Sequence, residues 1–171
     1  NALIDLDFLA ERGWITWEQA IFHIENPHKA DFDSLRTKLK KVLPIAFKSF
    51  LKENKKELQQ FDTFCKKQKA WLDDYALFRT IKDTFEQTPW YEWPLELRLR
   101  KPEGIAKLKV KLAHVIKYRK WVQYIAWSQW QGVKDFANSK GIGIIGDIPI
   151  YVSYDSADVW ANPHLFQLDK E

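Results

Sequence analysis

Apolar residues recur at helical spacing along the middle of the chain. The first such stripe consists of Leu35, Leu39, Val42, Leu43, Ala46, Phe47, Phe50 and Leu51. Positions that repeat every 3.6 residues or so (about one helical turn) lie on one face of a helix, so the pattern predicts amphipathic helices from Ser34 to about Phe85. Asp33 or Ser34 suits the N-cap, and Pro44 is expected to kink the first helix or divide it in two.

Further helical signals flank this block. Helically spaced apolar residues precede Gly13, which predicts a short helix near the start of the sequence. A long apolar stripe predicts another helix from Ile105 to about Ser139, stopped by Gly141. Between the two helical blocks, the prolines and tryptophans of "TPWYEWPLELRLRKPEG" (residues 88–104) predict a loop.

The pattern changes after Gly141. The runs "IGIIG" and "IPIYV", within residues 142–152, are rich in β-branched residues without alternation, which is typical of a strand buried on both faces. A helix that leads into such a strand indicates an α/β architecture. Asp147 interrupts the run near its carboxyl end, where parallel α/β folds place functional residues. From its surroundings alone, Asp147 is either a site residue or a turn residue that caps its own backbone.

The segment that follows, "YDSADVWANPHLF", combines acids with aromatic residues. Asp155 or Ser156 suits the N-cap of a short helix, and Asp158 would lie in its first turn. A turn then leads into a further apolar stretch.

Positive charge is concentrated in one region. Eleven Lys or Arg and three acids lie between Ser34 and Trp71, although the net charge of the chain is only +4. A basic patch of this kind suits nucleic acid or an acidic surface. Lysines on the polar side of amphipathic helices more often form a solvated face, so both interpretations stay open.

Other residue types narrow the possibilities. A single cysteine, Cys65, excludes an internal disulfide and favours a reducing cytoplasm. No apolar run has the length of a membrane span. His23, Glu25 and His28 lack a further ligand at zinc-like spacing, which favours a loop over a metal site. The sequence begins with Asn1 and contains no methionine, which indicates an internal piece of a longer protein.

Several motifs resemble those of one family, the 4-alpha-glucanotransferases, also called amylomaltases or disproportionating enzymes. The stretch "GIGIIGDIPIYVSYDSADVWANPHLFQLD" (residues 141–169) is similar to the family pattern G-I-x-I-I-G-D-x-P-I-(F/Y)-V, then D-S-A-(D/E)-V-W-A-x-P, then F-x-L-D. Four further stretches resemble family segments: "NALIDLDFLAERGWI", "WLDDYALF", "PWYEWPLELR" and "QWQGVKDFANSKGI". The resemblance therefore touches the whole chain and is loosest over residues 34–69.

The resemblance implies an α/β fold, namely part of a (β/α)8 TIM barrel of the α-amylase superfamily. This chain would supply an extended segment with a short helix (1–33), a helical insertion (34–104), and a barrel helix, one barrel strand and its substrate-site loop (105–171). The implied activity is the transfer of α-1,4-glucan segments between maltodextrins or to glucose with retention of configuration. Such an enzyme would act in cytoplasmic maltodextrin, starch or glycogen metabolism.

The same resemblance suggests which residues matter. The family's nucleophile, acid/base and supporting acid lie in R-I-D-H-F, A-E-D-L-G and H-D-N motifs, none of which occurs here. No catalytic residue is therefore assigned, and this chain is expected to be inactive by itself. The predicted substrate-binding residues are Asp147, Tyr151, Asp155 and Trp160. No cofactor or metal is implied, and the expected partners are maltooligosaccharides and the remainder of the same polypeptide, not nucleic acid or a membrane.

Two alternatives come from other functional classes. The lysine-rich helices would suit a non-catalytic interaction module that contacts nucleic acid or an acidic partner. The nine tryptophans would suit a carbohydrate-binding module, although large aromatic residues are more often core fillers.

Overall fold

The computed structural model of the protein describes residues 3–22, 28, 30–148 and 150–168. Within these ranges the chain is helical and forms no β-strand. The helices are Leu6–Glu11 (α1), Trp17–Ala20 (α2), Phe32–Phe50 (α3), Lys55–Lys67 (α4), Lys69–Thr84 (α5), Leu95–Arg98 (α6), Pro102–Lys111 (α7), Ala113–Ser139 (α8) and Ala157–Ala161 (α9). Two 3₁₀ turns are Trp90–Glu92 and Pro163–Leu165. In the described ranges, no helix combines the length and apolarity needed to cross a bilayer.

The start of α3 differs from prediction, and of the two outcomes predicted at Pro44 the division does not occur. Its N-cap is Asp31, whose carboxylate accepts the Ser34 backbone N–H at 2.9 Å, so the predicted cap at Asp33 or Ser34 is wrong. The helix also continues through Pro44 without division. A proline removes one backbone hydrogen bond, but buried residues on both sides of it, including Leu43 and Phe47, anchor the helix.

Other helix ends follow the local sequence. Gly141, at φ +73°, stops α8 as predicted. The Ile142 N–H donates a hydrogen bond to the Ala137 carbonyl at 3.0 Å and so satisfies one carbonyl of the last turn. The predicted helix from 105 to 139 is two helices, α7 and α8. The predicted loop over residues 88–104 contains a 3₁₀ turn and α6, because Pro89 and Pro94 serve as their N-caps, where a missing N–H costs little.

The helices form two compact units. Unit 1 comprises Asn1–Lys66 and Trp121–Ile144, and unit 2 comprises Lys67–Lys120 and Ile145–Glu171. Each unit therefore joins two stretches that are far apart in sequence. The division predicted from the family resemblance, into residues 1–33, 34–104 and 105–171, assigns segments to parts of a complete barrel and not to compact units. It stays a prediction about the whole polypeptide.

Aromatic rings build the core of unit 1. Trp121 on α8 is fully buried. Its ring centroid lies within 6.1 Å of the ring centroids of Trp14, Phe47 and Phe50. Each such pair contributes about 0.5–1.5 kcal/mol beyond the burial of its surface. Burial also raises the pKa of the Tyr124 phenol; the Glu57 carboxylate raises it further, and Arg12 opposes the rise.

Polar contacts fix the first residues of unit 1 to this core. The Gln129 side chain accepts the Asp5 N–H at 2.9 Å and donates to the Asp5 carbonyl at 3.1 Å. The Trp14 indole N–H donates to Glu53 at 2.7 Å. These bonds position α1 beside residues that lie far away in sequence.

The core of unit 2 consists of Leu77, Phe78, Ile81, Trp90, Trp93, Leu97, Ile105, Val159 and Trp160. Trp160 on α9 is 1% exposed, and its indole N–H donates to the Leu97 carbonyl at 2.9 Å. Its ring centroid lies 5.8 Å from that of Phe78 on α5. Helix α9 is therefore held on α5 and α6 by both packing and a hydrogen bond.

A buried lysine secures the segment that precedes α9. Lys82 on α5 is 5% exposed, and its ammonium donates to Asp155 Oδ2 at 2.5 Å and to the carbonyls of Gln87 and Thr88 at 2.8 and 3.1 Å. The other oxygen of Asp155 accepts the Trp90 N–H at 3.2 Å. We call this group of residues the Lys82 clamp. A buried ammonium is tolerated because each of its three protons has an acceptor.

The strand predicted within residues 142–152 does not form in the described part of the chain. Ile145, Ile148 and Ile150 are 98%, 82% and 87% exposed, so the prediction that both faces are buried is wrong for this structure. The physical reason is that the N–H and C=O groups of a strand form their hydrogen bonds with a neighbouring strand. No strand lies beside this segment in residues 3–22, 28, 30–148 and 150–168. Pro149 lies outside the described residues.

We predict that Trp121→Ala lowers the free energy of unfolding by about 3–5 kcal/mol, because it leaves a cavity among three aromatic rings. Trp130→Ala on the same helix is the matched control, since Trp130 is 50% exposed and should lose about 0.5 kcal/mol or less. Urea denaturation followed by far-UV circular dichroism measures both values. Equal losses in the two variants would contradict the assigned core.

We predict that Lys82→Met lowers the free energy of unfolding by about 3 kcal/mol, because Asp155 then keeps a partly buried charge without its cation. The exposed Lys69 on the same helix provides the control variant Lys69→Met. Combining Lys82→Met with Asp155→Asn should recover part of the loss, since no charge stays unpaired. A double variant no more stable than Lys82→Met would show that the unpaired charge is not the cause.

Candidate functional site

The four predicted substrate-binding residues fall into two groups in the structure. Asp147 and Tyr151 lie on the exposed apolar segment, whereas Asp155 and Trp160 belong to the packed part of unit 2. No hydrogen bond or ring contact within the described ranges joins one group to the other. The structure therefore does not bring all four side chains together.

Asp147 has an exposed carboxylate. Its Oδ1 accepts the backbone N–H of Ile148 at 2.7 Å, which is the local capping geometry that the sequence left open. The described chain provides no further hydrogen bond to this carboxylate. Nearby, Tyr151 is 91% exposed. Both side chains are thus accessible to a ligand, and neither is held by packing.

Asp155 has a defined structural partner. Both of its oxygens are used within the Lys82 clamp, one by the ammonium and one by the Trp90 N–H. The next residue, Ser156, is the N-cap of α9 and accepts the Val159 N–H at 3.3 Å, as predicted. The acid therefore fixes the point at which the chain turns from the exposed segment into α9.

Trp160 is almost fully enclosed. The guanidinium of Arg100 lies 4.2 Å above its ring, and Arg100 also pairs with Asp74 at 2.6 Å. A cation over an indole face is attracted by the ring electrons. With one face covered and 1% of its surface exposed, Trp160 supports neighbouring residues rather than offering an open ring.

Unit 2 contains a cavity of about 610 Å³ beside these residues. Its lining residues are Trp90, Tyr91, Arg98, Leu99, Arg100, Tyr154, Trp160, Pro163 and Leu168. Tyr91 and Tyr154 are 38% and 45% exposed, and the lining includes two arginines and no acid. An open cavity with aromatic walls and few polar groups is the usual form of a small-ligand site.

The acids of α5 in unit 2 are neutralised by basic partners. Asp73 pairs with Lys120, and Asp83 pairs with Arg119. Burial raises the pKa of the neighbouring Tyr118 phenol; Arg119 lowers it in part, and Asp83 raises it. These groups stabilise helix packing and supply no free acid or base to the cavity.

Of the three residues that the sequence suggested as a partial metal site, one lies within the described part of the chain. His23 and Glu25 lie outside the described residues, whereas His28 lies within them. In the portion of the chain that the structure describes, no three His, Cys, Asp or Glu side chains form a group suited to a metal ion.

Several residues of this region were not found by sequence reasoning. Lys82 lies four positions after Phe78 and therefore on the apolar face of α5. A charged residue on an apolar face is the sequence signal that could have identified Lys82. Tyr91 lies in the stretch predicted to be a loop, where the density of aromatic residues was the signal. Arg98 lies in the same stretch, whereas Tyr154 joins these residues only after folding, because it is distant in sequence.

The family model described as 4-alpha-glucanotransferase matches residues 1–171. The 4-alpha-glucanotransferase of Clostridium butyricum is 41% identical over 98% of this chain and 34% of its own length. That of Synechocystis sp. is 40% identical over 99% of this chain and 34% of its own length.

A solved structure agrees with the sequence comparisons. The amylomaltase from Streptococcus agalactiae in complex with acarbose is 40% identical and superimposes with a TM-score of 0.92, covering 99% of this chain and 34% of that one. The chain thus spans about a third of the length of the relatives it matches. The resemblance noted from the motifs is confirmed, and the chain belongs to the 4-alpha-glucanotransferase family.

Proposed function

We propose that this chain is part of a 4-alpha-glucanotransferase that moves α-1,4-glucan segments between maltodextrins or to glucose. The observation that carries the proposal is the family match over every residue, together with the TM-score of 0.92 to an amylomaltase. This match favours glucan transfer over a non-catalytic interaction module or a carbohydrate-binding module. We place the enzyme in the cytoplasm, with maltooligosaccharides as partners and without nucleic acid or a membrane.

The proposed reaction retains the configuration of the sugar. A retaining enzyme uses one carboxylate as nucleophile and a second as acid/base, and forms a covalent glycosyl-enzyme. A sugar hydroxyl then takes the place of water as acceptor. Since this chain lacks the family's motifs for both carboxylates, we propose that the remainder of a longer polypeptide supplies them.

The exposed apolar segment supports a role in a (β/α)8 barrel. Ile145, Ile148 and Ile150 expose most of their surface, and clusters of exposed large apolar residues generally mark an interface. We propose that this segment becomes a barrel strand when strands from the remainder of the polypeptide pair with it. Asp147 would then lie near the carboxyl end of the strand, where barrel enzymes place their sites.

Each predicted substrate-binding residue has a role in this proposal. Asp147 would accept hydrogen bonds from sugar hydroxyls, and Tyr151 would pack on the apolar face of a glucose ring. Asp155 and Trp160 would contribute to the same loop, and the Lys82 clamp and the burial of Trp160 support a role in holding that loop in place.

We predict that Asp147→Ala in the full-length polypeptide lowers kcat/KM for maltotriose disproportionation by about 10- to 100-fold, the cost of removing a hydrogen bond to a charged group. Asp135→Ala, which removes an exposed acid from α8, is the control and should retain activity. Glucose release from maltotriose measures both. Undiminished transfer by Asp147→Ala, with normal thermal unfolding, would refute the role of this carboxylate.

We also predict that the 171-residue chain by itself releases no glucose from maltotriose, because it lacks the opposed pair of carboxylates that retention requires. The full-length polypeptide, assayed at the same molar concentration, is the positive control. Transfer by the isolated chain would show that the carboxylates of the missing motifs are not needed.

A further inference from the structure

We propose that the cavity of unit 2 binds a segment of α-1,4-glucan, with Tyr91 and Tyr154 as its stacking surface and Arg98 as a hydrogen-bond donor. The inference rests on the proposed function, because it assigns the substrate class of that function to a particular place. It concerns residues outside the four that the sequence predicted to bind substrate.

The two tyrosines form a continuous aromatic surface at the cavity. Their ring centroids are 5.1 Å apart with an angle of 43° between the planes, and the buried Trp90 packs against Tyr154 with its ring centroid 5.5 Å away. Each tyrosine is more than a third exposed, and neither phenolic hydroxyl bonds to another residue in the described ranges. A glucose ring presents an apolar C–H face to such rings and hydroxyl groups at its edge, where free phenols can meet them.

The surrounding structure holds this surface rigidly. The Trp90 indole N–H donates to the Tyr154 carbonyl at 2.7 Å, and the Trp90 backbone N–H is bound by Asp155 of the Lys82 clamp. Tyr91 belongs to the 3₁₀ turn Trp90–Glu92. Aromatic groups fixed before binding lose little conformational freedom when a ligand arrives, which favours affinity.

The arginines of the cavity suit a neutral ligand. Arg100 is occupied by Asp74 at 2.6 Å and by the ring of Trp160 at 4.2 Å. Arg98 is partly buried and makes one long hydrogen bond, from Nη1 to the Tyr91 carbonyl at 3.4 Å. A guanidinium has five N–H donors, so Arg98 retains donors for sugar hydroxyls.

A neutral oligosaccharide fits these features better than an anion does. Sites for phosphate groups usually combine several cations or exposed backbone N–H groups. In the described lining, Arg98 is the cation without a carboxylate partner, and four of the nine residues are aromatic. The volume of about 610 Å³ lies within the range of about 300–1,000 Å³ typical of small-ligand sites.

The test uses the full-length polypeptide and affinity electrophoresis at low temperature in gels that contain soluble starch. We expect Tyr154→Ala and Tyr91→Ala each to weaken the apparent affinity for starch by about 3- to 10-fold, the loss expected from one aromatic contact. Tyr154→Phe and Tyr91→Phe keep the rings and should retain most of the binding, and an unchanged thermal unfolding midpoint in each alanine variant separates loss of contact from misfolding. Trp17→Ala, which removes a ring that is 58% exposed in unit 1, is the control and should bind as the parent does.

The outcomes separate this inference from the proposed function. If the parent releases glucose from maltotriose but both alanine variants bind starch as the parent does, the glucan site is wrong and the proposed function stands. If the parent shows no transfer, the proposed function fails independently of the gels. Weaker starch binding by both alanine variants, with the phenylalanine variants and Trp17→Ala binding as the parent does, supports the site. Competition by inorganic phosphate and not by maltohexaose would overturn it in favour of an anion site.

Discussion

The N–H and C=O groups of the backbone need hydrogen-bond partners, and that constraint separates the parts of the chain that form helices from the segment that forms neither helix nor strand. A helix pairs its N–H and C=O groups within its own residues, so α3, α5 and α8 need only a partner for their apolar face. An extended segment has no such internal solution. Residues 142–148 consequently leave their isoleucines exposed, although their composition is that of a buried strand.

Features that depend on neighbouring residues were predictable from the sequence, whereas features that depend on distant partners were not. Local signals were sufficient where a few neighbouring residues determine the outcome: Gly141 stops α8, and Ser156 caps α9. The passage of α3 through Pro44 was not predictable from a rule about proline, because packing on both sides outweighs one lost bond. The predicted strand requires a neighbouring strand, and the described part of the chain does not provide one. The Lys82–Asp155 pair joins residues distant in sequence, so its partner was invisible without coordinates.

Within unit 2, one buried cation and a set of aromatic rings act together. The Lys82 clamp orients Asp155 and Trp90, and Trp90 in turn holds the Tyr154 carbonyl at the cavity wall. Family motifs pointed to Asp147, Asp155 and Trp160 by their position in a pattern. The coordinates add that Asp155 and Trp160 are tied into the packing, whereas Asp147 is left open. Neighbouring residues of a single motif thus differ in their surroundings, since Asp155 and Trp160 are fixed by packing and Asp147 is exposed.

The discontinuity of unit 1 has a consequence for biosynthesis. Its first 66 residues complete their core only with Trp121, and Asp5 finds its amide partner only at Gln129. The chain between these partners must be synthesised before the loop that joins them can close. On the ribosome, α1 to α4 must therefore persist without their final partners until α8 emerges from the exit tunnel. During that interval the apolar surface that Trp121 covers in the folded unit is exposed to solvent.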